Sequence, residues 1–219
     1  SKNKAGHKIG FIGNGNMSRA IVSGILKSNL FEANEILVSG RNKSIFNDAK
    51  FKELGVSLTD NNKQLIKTCK IVFLCTKPNA LEELAESLTN SNDSADAEEE
   101  KFDSTLVSIL AGTQMKTLQS ALPMFNSYIR AMPNTPLQVN AGCTALTKLY
   151  GISNSTTELN AQVVKVIFSH LGMVEVVDEC KFHAVTGLSG RFKSISSESR
   201  PNCNFVINRK WTCIRLHNH

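Results

Sequence analysis

The chain has 219 residues, 41% of them hydrophobic and 20% charged, with a formal net charge of +6. A chain of that length buries about 70% of its extended surface without needing staples, and this composition excludes fibrous and disordered classes. Six of the 25 basic residues, but only one of the 19 acids, follow Gly190. The body is therefore nearly neutral, no binding motif accompanies the basic tail, and no nucleic-acid partner is expected.

Short apolar runs alternate with helical patterns from Lys8 to Asp178, the arrangement of a parallel sheet with crossover helices. In chain order the pattern predicts a strand at about 8–12, a helix at 16–28, a strand at 35–39 and a helix at 43–54. A strand at 56–58, a helix at 62–68, a strand at 70–75 and a helix at 79–89 follow. Next come a strand at 105–110, a helix at 114–121, strands at 127–131 and 143–147, a helix at 155–170 and a strand at 173–177. The runs Ile71–Cys75 and Leu106–Leu110 are too apolar for half-exposed strands and fit strands covered on both faces. The fold class is thus α/β, a Rossmann-type doubly wound and mainly parallel sheet.

Asn90–Lys101 is acidic, rich in Ser and Asn, and is expected to be a mobile surface loop. All 13 glycines lie at or before Gly190, where the composition changes abruptly. Residues 1–190 are read as one nucleotide-binding domain and 191–219 as an irregular, poorly ordered tail. No apolar run approaches the roughly 20 residues that span a bilayer, and Ser1–Lys8 lacks the apolar segment of a secretory signal. The six cysteines form no CxxC pair and suggest reduced thiols in an intracellular protein. The cytoplasm is the expected compartment, with the mitochondrion left open. The spacing of Cys203, Cys213, His217 and His219 matches no common zinc finger, so no metal site is assigned.

The first predicted strand runs into Gly13-Asn14-Gly15-Asn16-Met17-Ser18 and then a helix. A lone GxGxx(G/S) pattern is weak evidence, but strand, glycine loop and helix in that order form a dinucleotide-binding context. Gly13 permits a tight turn, Gly15 lets backbone approach a diphosphate, and Ser18 is small enough for helix–strand contact. Free N–H groups at the helix start would then face the anion. The second strand ends in Ser39-Gly40-Arg41-Asn42 with no acid at its tip. A carboxylate there would hold a ribose 2′-hydroxyl; Arg41 and the Ser39 hydroxyl suit a 2′-phosphate instead. NADP(H) is the expected cofactor, with NAD(H) as the alternative.

Four stretches taken together resemble the pyrroline-5-carboxylate reductase family: Lys8–Met17, Thr76-Lys77-Pro78, Arg130-Ala131-Met132-Pro133-Asn134-Thr135-Pro136 and Val185-Thr186-Gly187-Leu188-Ser189-Gly190. The resemblance implies a Rossmann domain followed by an all-helical, dimerising domain. It also implies reduction of a cyclic imine, 1-pyrroline-5-carboxylate, to L-proline in proline biosynthesis. Carried onto this sequence, Asn14, Asn16 and Met17 would line the dinucleotide beside Gly13 and Gly15. Ser39, Arg41 and Asn62 would hold the adenosine end, with Thr76, Lys77, Pro78 and Ala111 in loops at the carboxyl ends of later strands. Asn134, Glu179 and Ser189 would contact the substrate. Hydride transfer to a protonated imine relies mainly on positioning, so no catalytic acid is assigned, and His183 is read as structural or exposed.

After Gly190 the resemblance stops, and Arg191-Phe192-Lys193 stands where the family continues into its helical domain. The expectation is a chain that lacks that domain and ends in an unrelated tail. It would bind dinucleotide with reduction weak or absent, and the family's homo-oligomer would lack its contact domain. Two alternatives remain: another imine or β-hydroxyacid reductase, and a non-enzymatic nucleotide-binding isoform.

Overall fold

Four consecutive residues, Ile9–Ile12, are buried in the computed structural model, which describes residues 9–89, 101–134, 136–137 and 142–182. Such a run suits a central strand with layers on both sides. This strand, β1, pairs in parallel with β2 (Ile36–Ser39) and β4 (Ile71–Leu74), with Ile9 opposite both Ile36 and Ile71. β3 (Ser57–Thr59) lies outside β2, while β5 (Phe102–Ser108) and β6 (Phe125–Pro133) continue beyond β4. The order β3-β2-β1-β4-β5-β6 reverses direction between β1 and β4. At such a reversal the connections leave in opposite directions and open a crevice at the strands' carboxyl ends.

The alternation of the strands divides the core. Ile9, Phe11, Val38 and Phe73 face α1 (Asn16–Lys27), α6 (Ser155–His170) and Phe51 of the short α2 (Ala49–Lys52). Phe11 stacks on Phe73 with ring centres 4.8 Å apart. Ile12, Leu37, Val72 and Leu74 face α3 (Asn62–Thr68), α4 (Leu81–Thr89) and α5 (Met115–Ala121). A Cβ on Gly10 would run into Leu65 of α3, so glycine there sets how closely that helix approaches. Near the amino-terminal ends of β4 and β5, Asn160 of α6 donates to the Lys70 carbonyl at 3.1 Å and to Thr105 Oγ1 at 3.0 Å. Thr105 in turn shares a 2.9 Å hydrogen bond with Ser127 of β6.

One expectation is corrected, and one, the mainly parallel sheet, holds with a local reversal. Residues 43–54 do not make one helix but a 3-10 turn, Lys43–Asn47, followed by α2. Asp48 interrupts them because its carboxylate accepts from the Lys50 N–H and restarts the helix as a cap, a better use of Asp than an interior position. After β6 the sheet is no longer parallel: β7 (Gly142–Leu146) and the two-residue β8 (Tyr150–Gly151) both run antiparallel along β6. Only residues 134–141 separate β6 from β7, too few for a crossover of a dozen or more residues. β9 (Gly172–Val176) then pairs in parallel with β7 at the edge.

Residues 90–100 and 183–219, which include the acidic loop, His183, Ser189 and the basic tail, lie outside the described residues. Among those described, no helix is long and apolar enough to cross a membrane.

Candidate functional site

The crevice begins at Gly13, whose φ of +107° lies where side chains are strained. A Cβ there would also come within 2.8 Å of the Cys75 carbonyl, because the ends of β1 and β4 nearly touch. The Gly13 N–H donates to the Ser39 carbonyl at 3.0 Å, and the buried Ser18 hydroxyl donates to the Gly13 carbonyl at 2.5 Å. The loop is thereby fixed from both sides. Gly15 is the N-cap of α1 and contributes no side chain to it; the first turn carries no acid. A Cβ added to Gly15 would meet nothing within 4 Å. The start of a twelve-residue helix therefore opens onto empty space with its backbone donors bare and its positive dipole end outward.

That space is a cleft of about 1270 Å³ bounded by the glycine loop, the ends of β2 and β4, the β3–α3 turn and one face of α4. It is large enough for a dinucleotide rather than a single small molecule. Of the residues read from the sequence as cofactor-binding, Gly13, Asn14, Gly15, Ser39, Arg41, Asn62, Thr76 and Lys77 line it. Asn16, Met17, Pro78 and Ala111 do not. Met17 packs partly against the core below α1, Pro78 opens the 3-10 turn before α4, and Ala111 lies exposed in the turn after β5. Asn14 is tethered by its side-chain amide to Asp48, 2.9 Å away.

Ser39 departs from the direct contact expected of it. It is fully buried, and its hydroxyl donates to Asn62 Oδ1 at 2.6 Å, with the Phe11 carbonyl at 3.4 Å. A hydroxyl has one proton to give, so Ser39 holds Asn62, which lines the cleft, through its carbonyl oxygen and leaves the Asn62 amide N–H groups out of that bond. Arg41 stands at the mouth, 72% exposed, with a guanidinium nitrogen 3.3 Å from a carboxylate oxygen of Glu83 on α4. The Thr76 hydroxyl at the end of β4 is buried and has no hydrogen-bond partner. Burial pushes the neighbouring Cys75 thiol from the usual 9.0 up to about 12, so it stays neutral and adds no negative charge beneath an anion.

The residues expected to touch substrate sit elsewhere, at the ends of β6 and β9. Glu179 Oε1 accepts from the Met115 N–H at 2.6 Å and from Arg130 Nη1 at 2.7 Å. It caps the start of α5 and pairs with a guanidinium that is only 5% exposed and lies 4.8 Å over the Phe182 ring. Asn134 Oδ1 accepts from the Cys143 N–H at 2.8 Å and holds the start of β7. Both side chains are engaged with protein rather than opening into the large cleft, and Ser189 is outside the described residues. Sequence reading passed over Arg130, although a charge inside the otherwise buried strand Phe125–Pro133 was a signal. It also passed over Asp48 and Glu83, whose partners are 34 and 42 positions away along the chain.

Sheet order, reversal point and bare helix start define a Rossmann dinucleotide-binding domain. Residues 8–112 match the family model described as NADP oxidoreductase coenzyme F420-dependent. The pyrroline-5-carboxylate reductase of Escherichia coli K12 is 34% identical over 183 residues, 84% of this chain and 63% of that protein. A pyrroline-5-carboxylate reductase from Coxiella burnetii is 28% identical with a TM-score of 0.66, covering 84% of this chain and 64% of that one. The Plasmodium falciparum pyrroline carboxylate reductase, solved with NADP bound, shares the fold at 22% identity and a TM-score of 0.67, covering 85% of this chain and 63% of that one. Over 84% of its length the chain is similar to pyrroline-5-carboxylate reductases, and it spans about three-fifths of the length of the curated relatives it matches.

Proposed function

We propose that the chain binds NADP(H) in the cleft and serves the reduction of 1-pyrroline-5-carboxylate to L-proline. The observation that carries the cofactor half is the uncapped start of α1, reached through Gly13 and Gly15 and facing open space. The residues present fit the cofactor. A Cβ at Gly15 would meet no protein atom within 4 Å, which leaves room for a diphosphate against the helix start, and the buried Thr76 hydroxyl lacks a partner that a ligand could supply. The N–H groups of the first turn take the diphosphate, Asn62 takes the adenosine end, and Arg41 takes a 2′-phosphate. When bound, the nicotinamide supplies a hydride to the imine carbon.

The protein's own contribution to that reaction is positioning. The loop after β5, with Ala111 and Gly112, is held from below by Glu179 through the first turn of α5. Burial keeps Cys75 neutral, so the floor of the site neither titrates nor attacks near neutral pH. No described residue is assigned as proton donor.

One observation favours a second reading, nucleotide binding without turnover: Glu179 and Asn134 are engaged with Arg130, Met115 and Cys143. The test combines thermal shift with NADPH and with NADH and an assay of NADPH oxidation in the presence of pyrroline-5-carboxylate. Stabilisation of about 2.7 kcal/mol at 100 times the dissociation constant is expected. Stabilisation with turnover supports the reductase, and stabilisation without turnover supports the second reading. No stabilisation by either nicotinamide nucleotide at millimolar concentration removes both.

A further inference from the structure

We infer that Glu83, on the first turn of α4, sets how strongly the cleft prefers a phosphorylated over an unphosphorylated ribose by competing for Arg41. The inference rests on the cofactor reading above and concerns a residue outside the glycine loop and the β2 tip, where such discrimination is ordinarily sought.

Arg41 and Glu83 come from opposite walls of the cleft, one just past β2 and the other on α4, and both line it. Their charged groups meet at 3.3 Å across its mouth. With 72% and 65% of the side chains exposed, the pair contributes little to folding. Its consequence falls on whatever enters. For Arg41 to make a two-pronged contact with a 2′-phosphate, the guanidinium must loosen from Glu83. The carboxylate then remains well inside a Debye length of about 8 Å from the new dianion. A 2′-hydroxyl meets neither penalty. Glu83 thus opposes the very charge that Arg41 attracts, and it brings the two cofactors closer in affinity than Arg41 alone would.

The neighbouring Glu82 supplies a control. It shares the acidic first turn of α4, where carboxylates favour the positive helix end, but it does not line the cleft. Dissociation constants for NADPH and NADH are measured by fluorescence titration on the full chain and on Glu83→Gln, Glu82→Gln and Arg41→Ala, at low and at molar salt. Glu83→Gln is expected to tighten NADPH by about three- to fivefold, the scale of one exposed ion pair, while NADH changes less than twofold. The gain fades at molar salt. Glu82→Gln leaves both constants unchanged, and Arg41→Ala weakens NADPH more than NADH. The inference is overturned if Glu83→Gln leaves NADPH binding unchanged, weakens it, or tightens both nucleotides equally. A starting protein that binds neither nucleotide overturns the cofactor reading itself, a result distinct from those three.

Discussion

Both ends of the crevice edge lie at strand carboxyl termini, yet they treat their polar groups in opposite ways. At β1, β2 and β4 the start of α1 has no side-chain cap and the Thr76 hydroxyl is buried without a partner. At β5, β6 and β9 the Met115 N–H, Arg130 and Glu179 close on one another, and Asn134 closes on Cys143. A folded protein leaves buried polar groups unmatched only rarely. The first region is therefore kept receptive, whereas the second is consolidated. The same edge of one sheet supplies a binding surface at one end and a fastening at the other.

The comparison is tested most severely by breaking the fastening. Arg130→Met removes the buried guanidinium and leaves the partly exposed Glu179 carboxylate with only the Met115 N–H, which is expected to cost about 1–3 kcal/mol of stability, the scale for losing a charged hydrogen-bond partner. Chemical denaturation measures it. A loss below about 1 kcal/mol would show that the pair is solvated and that the two regions do not differ as described.

A second effect follows from burial at the floor of the receptive end and nearby. Cys75 and Cys69 are each raised from 9.0 to about 12, mainly by desolvation, and Tyr128 from 10.0 to about 12. Each folded pKa lies above its unfolded value, so the unfolded chain loses protons first as the pH rises. The contribution is whole below about pH 9 and falls progressively between pH 9 and 12. Denaturation midpoints measured from pH 8 to 11 should decline, and Cys75→Ala should flatten that decline. A midpoint constant to pH 11 would place these groups in contact with water.

The smallest effect belongs to Ser39→Ala. Loss of one hydrogen bond to Asn62 should lower folding stability by about 0.5–1.5 kcal/mol and, by loosening Asn62, weaken NADPH and NADH alike. Weakening confined to NADPH would instead put the Ser39 hydroxyl on the 2′-phosphate.

Much of the receptive end could be read from the sequence, because its determinants are local. Gly13, Gly15 and Ser18 fall within six positions, and the apolar runs of β1 and β4 mark strands covered on both faces. Arg41 was legible for the same reason, but its competitor Glu83 was not, since only the approach of α4 to β2 brings them together. The consolidated end was read less well. Glu179 was read as a substrate contact, and its engagement with the start of α5 is set by Met115 and by Arg130, 64 and 49 positions earlier. The turn to antiparallel pairing after β6 escaped because strand periodicity carries no direction. The length of the connection does, and it was the better guide.

The central claim, that the bare start of α1 receives a diphosphate, is tested most directly by titrating NADPH into the chain and into Gly15→Ala. Gly15 has φ −75°, which alanine adopts freely, and its Cβ would meet no protein atom within 4 Å, so folding should be almost unaffected. The account predicts equal thermal stability without ligand and at least about tenfold weaker NADPH binding, roughly 1.4 kcal/mol, in the variant. Equal affinity in the two proteins would contradict it, because the diphosphate would then lie somewhere other than at Gly15.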